Sequence, residues 1–529
     1  MSGPVTRRKV IRALGLGSIG ASAAILAACG ETQVVTKEVP IEKTVIKEVP
    51  VETIVTRTEV KEVPVEKVVT QQVEKVVTQV VETQKVVEKV VTQVVEREKV
   101  VEKVVEVEVQ PQMAPTPPIQ FMNYWAAGTR WETMKAGLEE FDKQFPNVKY
   151  DLIPIPPGFY RDKVNIMFAA GTIGDVVVLN GARMREFAPG LVQLEDHVNK
   201  AGIDLDDYLI LARENPDDPS FENLSIEGTL YGMPFMSGVN GYVYNIDKFD
   251  ADGVEAPTAD WTWDTQLEAA RQLTNSETGE YGLHHSTGGE FRWLPLISAN
   301  GGWLFTDRSR PAPASGFATE GGLEAFEWYV NATYEEGVGV PLGELSQLLT
   351  EGITAPFATG KIGMEPGGIH GPGGRKLRVG DRFVWDNMES PRSPIDEIAY
   401  STNELGHFIT VKALEHGTVE ASVILTSFIA GEYFQGLVAD GRGAIPMFRA
   451  VIESDRYLGF QPGLPRSMHI IKDNFLSPDG YGLHFFSGWA QWWNILHDET
   501  QPALVGEIPA REALLNAQAA CDRHLATLQ

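Results

Sequence analysis

Hydrophobic residues recur with two different spacings along this chain of 529 residues. Between residue 31 and about residue 110, valines recur seven apart, at Val73, Val80, Val87, Val94 and Val101, with Val77, Val91 and Val105 on an adjoining row. From residue 117 onward, short apolar runs alternate with amphipathic stretches. The seven-residue spacing predicts a coiled-coil seam, and the later pattern predicts strands that alternate with helices.

The valine-rich segment is a low-complexity repeat of Val, Glu, Lys and Thr. KEVP occurs at residues 37–40, 47–50 and 61–64, and residues 74–87 recur with two changes at residues 88–101. Pro40, Pro50 and Pro64 exclude a continuous helix in the first half. We therefore expect a tether followed by a helical stalk with possible self-association, or else a solvated spacer without it.

The pattern after residue 117 predicts a doubly wound α/β sheet. We predict strands at residues 119–125, 148–155 and 175–180, with helices at residues 131–145 and 159–170 between them. DVVVLN, at residues 175–180, is continuously apolar, as expected of a parallel strand that is covered on both faces. Ligands of such sheets bind at the carboxyl ends of the strands, which here lie near Trp125 and Asn180.

The N-terminal 28 residues have the layout of an export signal. Arg7 and Arg8 precede a small, apolar run at residues 13–28, which favours the twin-arginine route, although a general secretory signal can also contain two arginines. Leu26-Ala27-Ala28-Cys29 resembles a lipobox, so we expect Cys29 to be acylated and to anchor the chain in the membrane. The expected location is the outer face of the cytoplasmic membrane, with residues 1–28 as the signal and residues 29–112 as the stalk.

Charge and chemistry exclude several classes of function. The net charge of -27 opposes binding to nucleic acid or to anionic lipid surfaces. The second cysteine, Cys521, has no disulfide partner once Cys29 is acylated, and we expect it to be buried in a terminal helix. His284 and His285 lack further ligands at metal-binding spacing, so we interpret them as a solvated pair and predict no metal and no cofactor. G-x-S-x-G, HExxH and Walker motifs are missing from the sequence, which disfavours an enzyme, including an exported glycosidase.

Eight segments occur in the order found in one known family. They are FDKQFPNVKY, MFAAGTIGDVVVLNG, LYGMPF, YNIDKFDADGV with DWTWDTQLEAARQLT, NGGWLF, FATGKIGMEPGG, FITVKALEHGTVEAS and GAIPMFRAV. In this order the chain resembles the extracellular solute-binding proteins of ABC sugar importers, the maltose-binding-like branch, over almost all of residues 117–529. The stalk is a departure from the family pattern.

The resemblance implies an α/β periplasmic-binding-protein fold with two lobes and a hinge. Lobe 1 would comprise residues 117–237 and 405–450, and lobe 2 residues 243–404 and 455–529. The chain would cross between the lobes near Gly238 to Tyr242, near Leu405 to Phe408 and near Val451 to Tyr457. A ligand would be enclosed between the lobes by hinge closure.

The resemblance, together with the chemistry of sugars, nominates ligand-binding residues. Sugar rings pack on aromatic faces, and their hydroxyl groups need side chains that donate and accept hydrogen bonds. The candidates are Trp125, Tyr160, Asn180, Asn240, Trp303, Glu365, Gly367 and Gly368, followed by Trp293 and Trp385. Any of these tryptophans can instead be a core residue, and the glycines can belong to turns.

The function that we expect is capture of a mono- or oligosaccharide and its delivery to a membrane permease. The expected partners are a small sugar ligand, the permease subunits and, through Cys29, the membrane. Two alternatives stay open, namely a non-sugar solute such as a peptide or polyamine in the same fold, and a stalked surface scaffold or adhesin.

Overall fold

The computed structural model describes residues 117–529, apart from residues 308, 350–352, 354 and 484, and six short strands within residues 35–107. The chain divides into two compact units, Met1–Met113 and Ala114–Gln529, and each is described by itself. The export signal and its residues Arg7, Arg8 and Cys29 lie outside the described residues.

The described parts of the first unit are extended. Its strands are Val35–Lys37, Ile41–Glu42, Glu52–Thr53, Glu88–Lys89, Lys99–Val100 and Val105–Val107. They pair antiparallel, the first with the sixth, the second with the fifth and the third with the fourth. The helix predicted from the heptad spacing is therefore wrong at residues 88–89, 99–100 and 105–107. At Val100, Val105 and Val107 the physical reason is that valine is β-branched, which lowers its helix propensity and favours a strand.

The second unit contains eleven described strands. They are Ile119–Asn123 (β1), Tyr150–Pro154 (β2), Val176–Asn180 (β3), Ser225–Ile226 (β4), Thr229–Leu230 (β5), Gly232–Asn245 (β6), Tyr281–Leu283 (β7), Ile362–Gly368 (β8), Trp385–Met388 (β9), Tyr400–Ile409 (β10) and Gly480–Gly482 (β11). β4 and β5 form a hairpin, and the other nine strands form one mixed sheet.

The described α-helices of this unit surround that sheet. They are Gly128–Gln144 (α1), Pro157–Ala169 (α2), Gly181–Phe187 (α3), Glu195–Lys200 (α4), Leu211–Glu214 (α5), Ile246–Asp252 (α6), Trp263–Leu273 (α7), Leu294–Ala299 (α8), Glu320–Tyr334 (α9), Leu345–Leu348 (α10), Pro372–Val379 (α11), Val411–His416 (α12), Val419–Ala430 (α13), Glu432–Gly441 (α14), Arg449–Ile452 (α15), Asp455–Leu458 (α16), Met468–Phe475 (α17), Trp489–Leu504 (α18) and Ala510–Ala526 (α19). A single π-helical turn, Gly289–Trp293, precedes α8.

The first three strands form as the apolar pattern predicts. β1 pairs parallel with β2 and with β3, and α1 and α2 connect them. β3 is almost entirely buried, which agrees with its continuous apolar run. The predicted strand, helix, strand, helix, strand order is confirmed, with each element bound shifted by no more than a few residues.

The fourteen-residue strand β6 connects two groups of strands. From Gly232 to Val239 it pairs antiparallel with β10, and from Asn240 to Asn245 it pairs antiparallel with β8 and β9. The change of partner falls between Val239 and Asn240. β1 to β3 join the first group through β10, and β7 joins the second group through β8.

The C-terminal helices bury an aromatic core. Trp492 is fully buried on α18, its ring lies 4.8 Å from that of Phe305, and its indole N–H donates to Ser315 Oγ at 3.2 Å. Cys521 on α19 is also buried, and its thiol lies 3.6 Å from the Trp492 carbonyl oxygen. The prediction that Cys521 is a buried residue of a terminal helix is confirmed.

Within the described residues, we find no single helix that is both long enough and apolar enough to cross a membrane; one bent pair, Val419–Ala430 with Glu432–Gly441, passes by length and composition alone.

Replacing Trp492 tests how strongly this core stabilises the domain. Trp492→Ala removes a fully buried ring and orphans the Ser315 hydroxyl, so we expect the free energy of unfolding to fall by about 3–5 kcal/mol. The neighbouring Trp493 is only partly buried, and Trp493→Ala is expected to cost about 1 kcal/mol. Urea unfolding followed by circular dichroism gives both values, and equal losses would contradict the assignment of Trp492 to the core.

Candidate functional site

Three predicted site residues that lie near β1 and β3 have structural roles. Trp125 is 1% exposed, and its ring centroid lies 4.6 Å from that of Phe235. The buried Tyr160 hydroxyl accepts a hydrogen bond from Val178 N at 2.8 Å. Asn180 caps α3 by accepting from the backbone N–H of Arg183 at 3.1 Å. In this conformation, the polar groups of Tyr160 and Asn180 are used within the protein.

The partner change of β6 brings four other candidates together. Across β6 and β8, Asn240 faces Gly368, Gly241 faces Gly367 and Val243 faces Glu365. Asn240 is buried, its side-chain oxygen accepts from Ser401 N at 2.6 Å, and its backbone oxygen accepts from the Asn474 amide at 3.2 Å. Asn240 therefore ties β6 to β10 and to α17.

Close packing at this point requires glycine. A Cβ added to Gly238 would lie 2.8 Å from Phe291 Cζ, and one added to Gly368 would lie 2.5 Å from His370 Cε1. The rings of Phe291 and His370 lie 5.5 Å apart over these two glycines. Burial, together with the charges of Arg130 and Arg375, lowers the pKa of His370 to about 3, so that its ring is neutral.

Glu365 lies in a cluster of charged side chains. Its carboxylate is 3.3 Å from His284 Nδ1. Burial opposes ionisation, but the His284 hydrogen bond and the charges of His284, Arg375 and Arg292 outweigh that effect and lower the pKa of Glu365. The Glu365 carboxylate is therefore held in its ionised form near two arginines.

The interpretation of His284 and His285 as a solvated pair is wrong. Both are buried, at 4% and 5% exposed. His285 Nδ1 lies 2.8 Å from the Tyr329 carbonyl oxygen, and burial lowers the pKa of His285 to about 3. The sequence does not indicate that each histidine has its own partner inside the protein. Within the described part of the chain, no group of three His, Cys, Asp or Glu side chains is placed to hold a metal ion.

Trp303 is the one nominated tryptophan with a large exposed surface, at 50%. Its ring stands edge-on to that of Tyr481, with centroids 5.8 Å apart. The Tyr481 hydroxyl lies near Ser298, Ser401 and Glu290, so this aromatic pair adjoins the strand that binds Asn240. A cavity of about 220 Å³ opens beside the pair and is lined by Asp218, Ser220, Trp303, Leu304, Phe305, Thr306, Asp307, Tyr481 and Gly482.

The second-rank tryptophans lie in the core. Trp293 is fully buried, and its indole N–H donates to the Thr287 carbonyl oxygen at 3.4 Å. Trp385 is 4% exposed, with the Arg375 guanidinium 5.6 Å from its ring centre. Neither ring offers a free face to a ligand in this conformation.

Sequence reasoning missed two acids and an arginine that the fold brings near the partner change of β6. Glu290 and Arg292 flank Phe291 on the π-helical turn, and Glu404 is fully buried on β10. Burial raises the pKa of Glu404 well above its ordinary value, which favours the neutral carboxyl group. In the sequence these residues belong to no recognised motif, and only the pairing of β6 with β10 and β8 reveals them.

The arrangement has features that can bind a small polar molecule. It offers an exposed aromatic face, a cavity and a set of partly buried charges. Hydroxyl groups and ring faces of a solute can use these features together.

Comparison with known proteins gives a family and a fold. A sequence profile of the family described as bacterial extracellular solute-binding protein matches residues 127–393, about half of the chain. The lactose-binding protein of Rhizobium radiobacter is 23% identical over 193 residues, covering 35% of this chain and 42% of that protein. The mannitol-binding protein of Pseudomonas aeruginosa is 26% identical over 258 residues, covering 46% and 55%. The chain thus spans about half the length of the curated relatives that it matches.

Among solved structures, an ABC substrate-binding protein from Listeria monocytogenes in complex with cycloalternan has a TM-score of 0.66 to this chain at 21% identity. The likeness covers 77% of this chain and 99% of that one. The predicted two-lobed α/β fold is confirmed.

Glu290 predicts a pH dependence of stability. Burial raises its pKa from 4.5 to about 7, against the opposing effects of Asn403 and the Arg292 charge. Because the folded pKa is the higher one, the stabilising contribution is complete below pH 4.5 and is lost as the pH rises through 7. Glu290→Gln stays neutral, so its melting temperature should match the wild type at low pH and exceed it by a few degrees at pH 8.

Thermal melts between pH 4 and 9 measure this difference. The exposed Glu335→Gln is the control and should follow the wild type throughout. Parallel profiles for the wild type and Glu290→Gln would show that Glu290 is solvated and titrates normally.

Proposed function

We propose that this chain, which belongs to the family of bacterial extracellular solute-binding proteins, captures a carbohydrate in a cleft between its two lobes and delivers it to the permease of an ABC importer. The family membership agrees with the resemblance found in the sequence. Capture by hinge closure requires contacts that are better in the closed state than in the open state.

The position of the Trp303 cavity supports the proposal most directly. In the proposed lobe division, Asp218 and Ser220 belong to lobe 1, whereas Trp303 and Tyr481 belong to lobe 2, and all four line the cavity. A ligand there would contact both lobes at once. An exposed tryptophan face suits the C–H groups of a sugar ring, and the hydroxyl and carboxylate groups around it suit the sugar hydroxyls.

The relatives support a carbohydrate or a polyol as the ligand class. Two are named for lactose and mannitol, and one solved structure with the same fold holds cycloalternan. Most of these ligands' polar groups are hydroxyls, which need no metal or cofactor for recognition.

An ion-pair latch supports closure around the ligand. Glu222 of lobe 1 accepts from Arg185 at 2.8 Å and also pairs with Arg310 of lobe 2, whose guanidinium also donates to the Pro219 carbonyl oxygen. Glu222 is 15% exposed at its side chain. Burial opposes ionisation, but Arg185 and Arg310 outweigh it and lower the pKa of Glu222. Glu222 comes shortly after Asp218 and Ser220 in the chain, and these two residues line the cavity.

We propose, from the sequence of the N-terminal segment, that the capture domain lies outside the cell. Acylated Cys29 would anchor the chain at the outer face of the cytoplasmic membrane, since the two or three acyl chains of a lipoprotein give lasting attachment. Residues 29–112 would then act as a spacer between the lipid and the lobes. This arrangement keeps the capture domain close to the permease while it samples the surroundings.

A binding screen with a tryptophan variant tests the ligand class. Isothermal calorimetry of the purified protein against mono- and oligosaccharides, polyols, amino acids, peptides and polyamines should give a carbohydrate ligand. Trp303→Ala removes the exposed ring face and should reduce the affinity for that ligand at least about tenfold, equivalent to about 1.4 kcal/mol. Trp131→Ala, which alters a half-buried tryptophan on α1, should leave affinity unchanged. A peptide or polyamine as the only ligand would overturn the carbohydrate assignment, and no ligand at all would favour a scaffold.

The latch gives a second test, directed at closure. Glu222→Gln leaves two arginines without their carboxylate, so we expect the closed state to lose stability and the ligand to dissociate about tenfold faster. Glu327→Gln is a matched control, because Glu327 pairs with Arg511 within lobe 2. Stopped-flow tryptophan fluorescence measures the release rates. Unchanged release from Glu222→Gln would mean that this ion pair does not hold the lobes closed.

Because the folded pKa of Glu222 is the lower one, the latch is intact above pH 4.5 and is lost as the pH falls through the folded pKa. The release rate of the wild type should therefore rise in acid, while that of Glu222→Gln should change less.

A further inference from the structure

Two arginines of the cluster around Glu365 lack hydrogen-bond acceptors. Arg292 lies on the π-helical turn and Arg375 lies on α11. Among the described residues, neither guanidinium donates a hydrogen bond or forms an ion pair, and Arg292 Nε is buried without a partner. Both side chains are only partly exposed. A guanidinium presents five N–H donors, so several donors in a restricted space are available to a ligand.

The charges around these arginines leave a positive excess. The Glu365 carboxylate attracts both Arg375 and Arg292 electrostatically, and its hydrogen bond goes to His284. Glu290 lies near Arg292, but its raised pKa reduces its charge at neutral pH. Arg130 adds a further positive charge, which acts on His370. This excess occurs in a protein whose net charge is -27, so it is not a consequence of overall composition.

The backbone leaves space beside Arg292. Gly367 has a φ of 159°, and a Cβ at that position would come within 3.7 Å of the Arg292 guanidinium. Arg292 also lines a cavity of about 10 Å³ together with Asn240 and Phe291, which is room for about one water molecule, so an anion would bind on the Gly367 side of the guanidinium. Because Gly367 has no side chain, the guanidinium is not covered from that direction. The planar fork of arginine matches two oxygens of a carboxylate or a phosphate.

We propose that the carbohydrate captured by this protein carries an anionic group, a carboxylate or a phosphate, which binds to Arg292 and Arg375 beside Gly367. The proposal rests on the proposed function of carbohydrate capture and narrows its ligand class. A neutral sugar gives these guanidinium groups only hydroxyl acceptors, whereas an anion pairs with both charges in a partly desolvated site. The overall negative charge of the protein slows the approach of an anion, and the local excess offsets this at the site.

Calorimetry with matched pairs of ligands tests the proposal. The pairs are galacturonic acid against galactose, and glucose 6-phosphate against glucose. We expect an acidic member to bind at least about 30-fold more tightly than its neutral partner. A preference for the uronate or for the phosphate identifies which anion the site takes. Equal binding, or tighter binding of the neutral member, would overturn the proposal while carbohydrate capture stands. If no carbohydrate of any kind binds, the proposed function fails as well.

Variants locate the preference. Arg292→Gln and Arg375→Gln should each reduce the affinity for the acidic ligand at least about tenfold and leave a neutral sugar's affinity within about twofold. Arg292→Lys keeps the charge without the fork and should fall between Arg292→Gln and the wild type. Arg271→Gln, in an exposed ion pair with Glu336, is the control and should bind as the wild type does. Equal losses for acidic and neutral ligands would assign Arg292 a structural role and contradict the proposal. If Arg292→Gln does not fold, the test rests on the wild type's preference for the acidic over the neutral ligand and on the loss of that preference in Arg375→Gln.

Discussion

The shared strand β6 is the constraint on which the rest of the structure depends. One continuous run of backbone pairs with β10 up to Val239 and with β8 and β9 from Asn240. The other strands of the nine-stranded sheet belong either to the group that contains β10 or to the group that contains β8 and β9, and β6 links the two groups. Gly238 and Gly241 keep the change of partner free of side chains, because a Cβ at either position would come within 3 Å of a neighbouring ring or methyl group. Residues that are distant in sequence, such as Glu290, Arg292 and Glu365, therefore lie near one short stretch of backbone.

The chemistry of the cleft follows from the partial burial that this geometry imposes. Charged groups near the partner change lose solvent, so their ionisation depends on their neighbours. Glu365 stays ionised because His284 and two arginines favour its charge, whereas burial raises the pKa of Glu290. On the other side of Glu290, Tyr481 connects this polar region to the exposed face of Trp303. The aromatic face of Trp303 and the charged groups around Glu290 thus both neighbour Tyr481, and a binding site for a small polar solute uses such features together.

The alternating strands and helices at the start of the sheet can be predicted from the sequence, whereas the exposure of the candidate site residues can be predicted only in part. The apolar run at β3 and the amphipathic spacing of α1 identify the doubly wound start, because these patterns depend only on local periodicity. Residue type alone cannot say whether a tryptophan packs or stays exposed, so Trp125, Trp293 and Trp385 were nominated alongside Trp303 although all three are buried. Arg292 and Glu290 were missed because their importance comes from pairing between strands that are far apart in the chain. The heptad spacing of the valines predicts a helical stalk, but the described residues 88–89, 99–100 and 105–107 are strands, because periodicity alone does not include the strand preference of valine.

A crystal structure of the protein with its tightest-binding carbohydrate tests the central claim most directly. We expect a sugar ring stacked on Trp303, with polar contacts to the Asp218–Ser220 segment of lobe 1 as well as to lobe 2, and with Glu222 paired to Arg310. A carbohydrate that touches only one lobe, or that binds away from Trp303 and the β6 partner change, would contradict capture between the lobes.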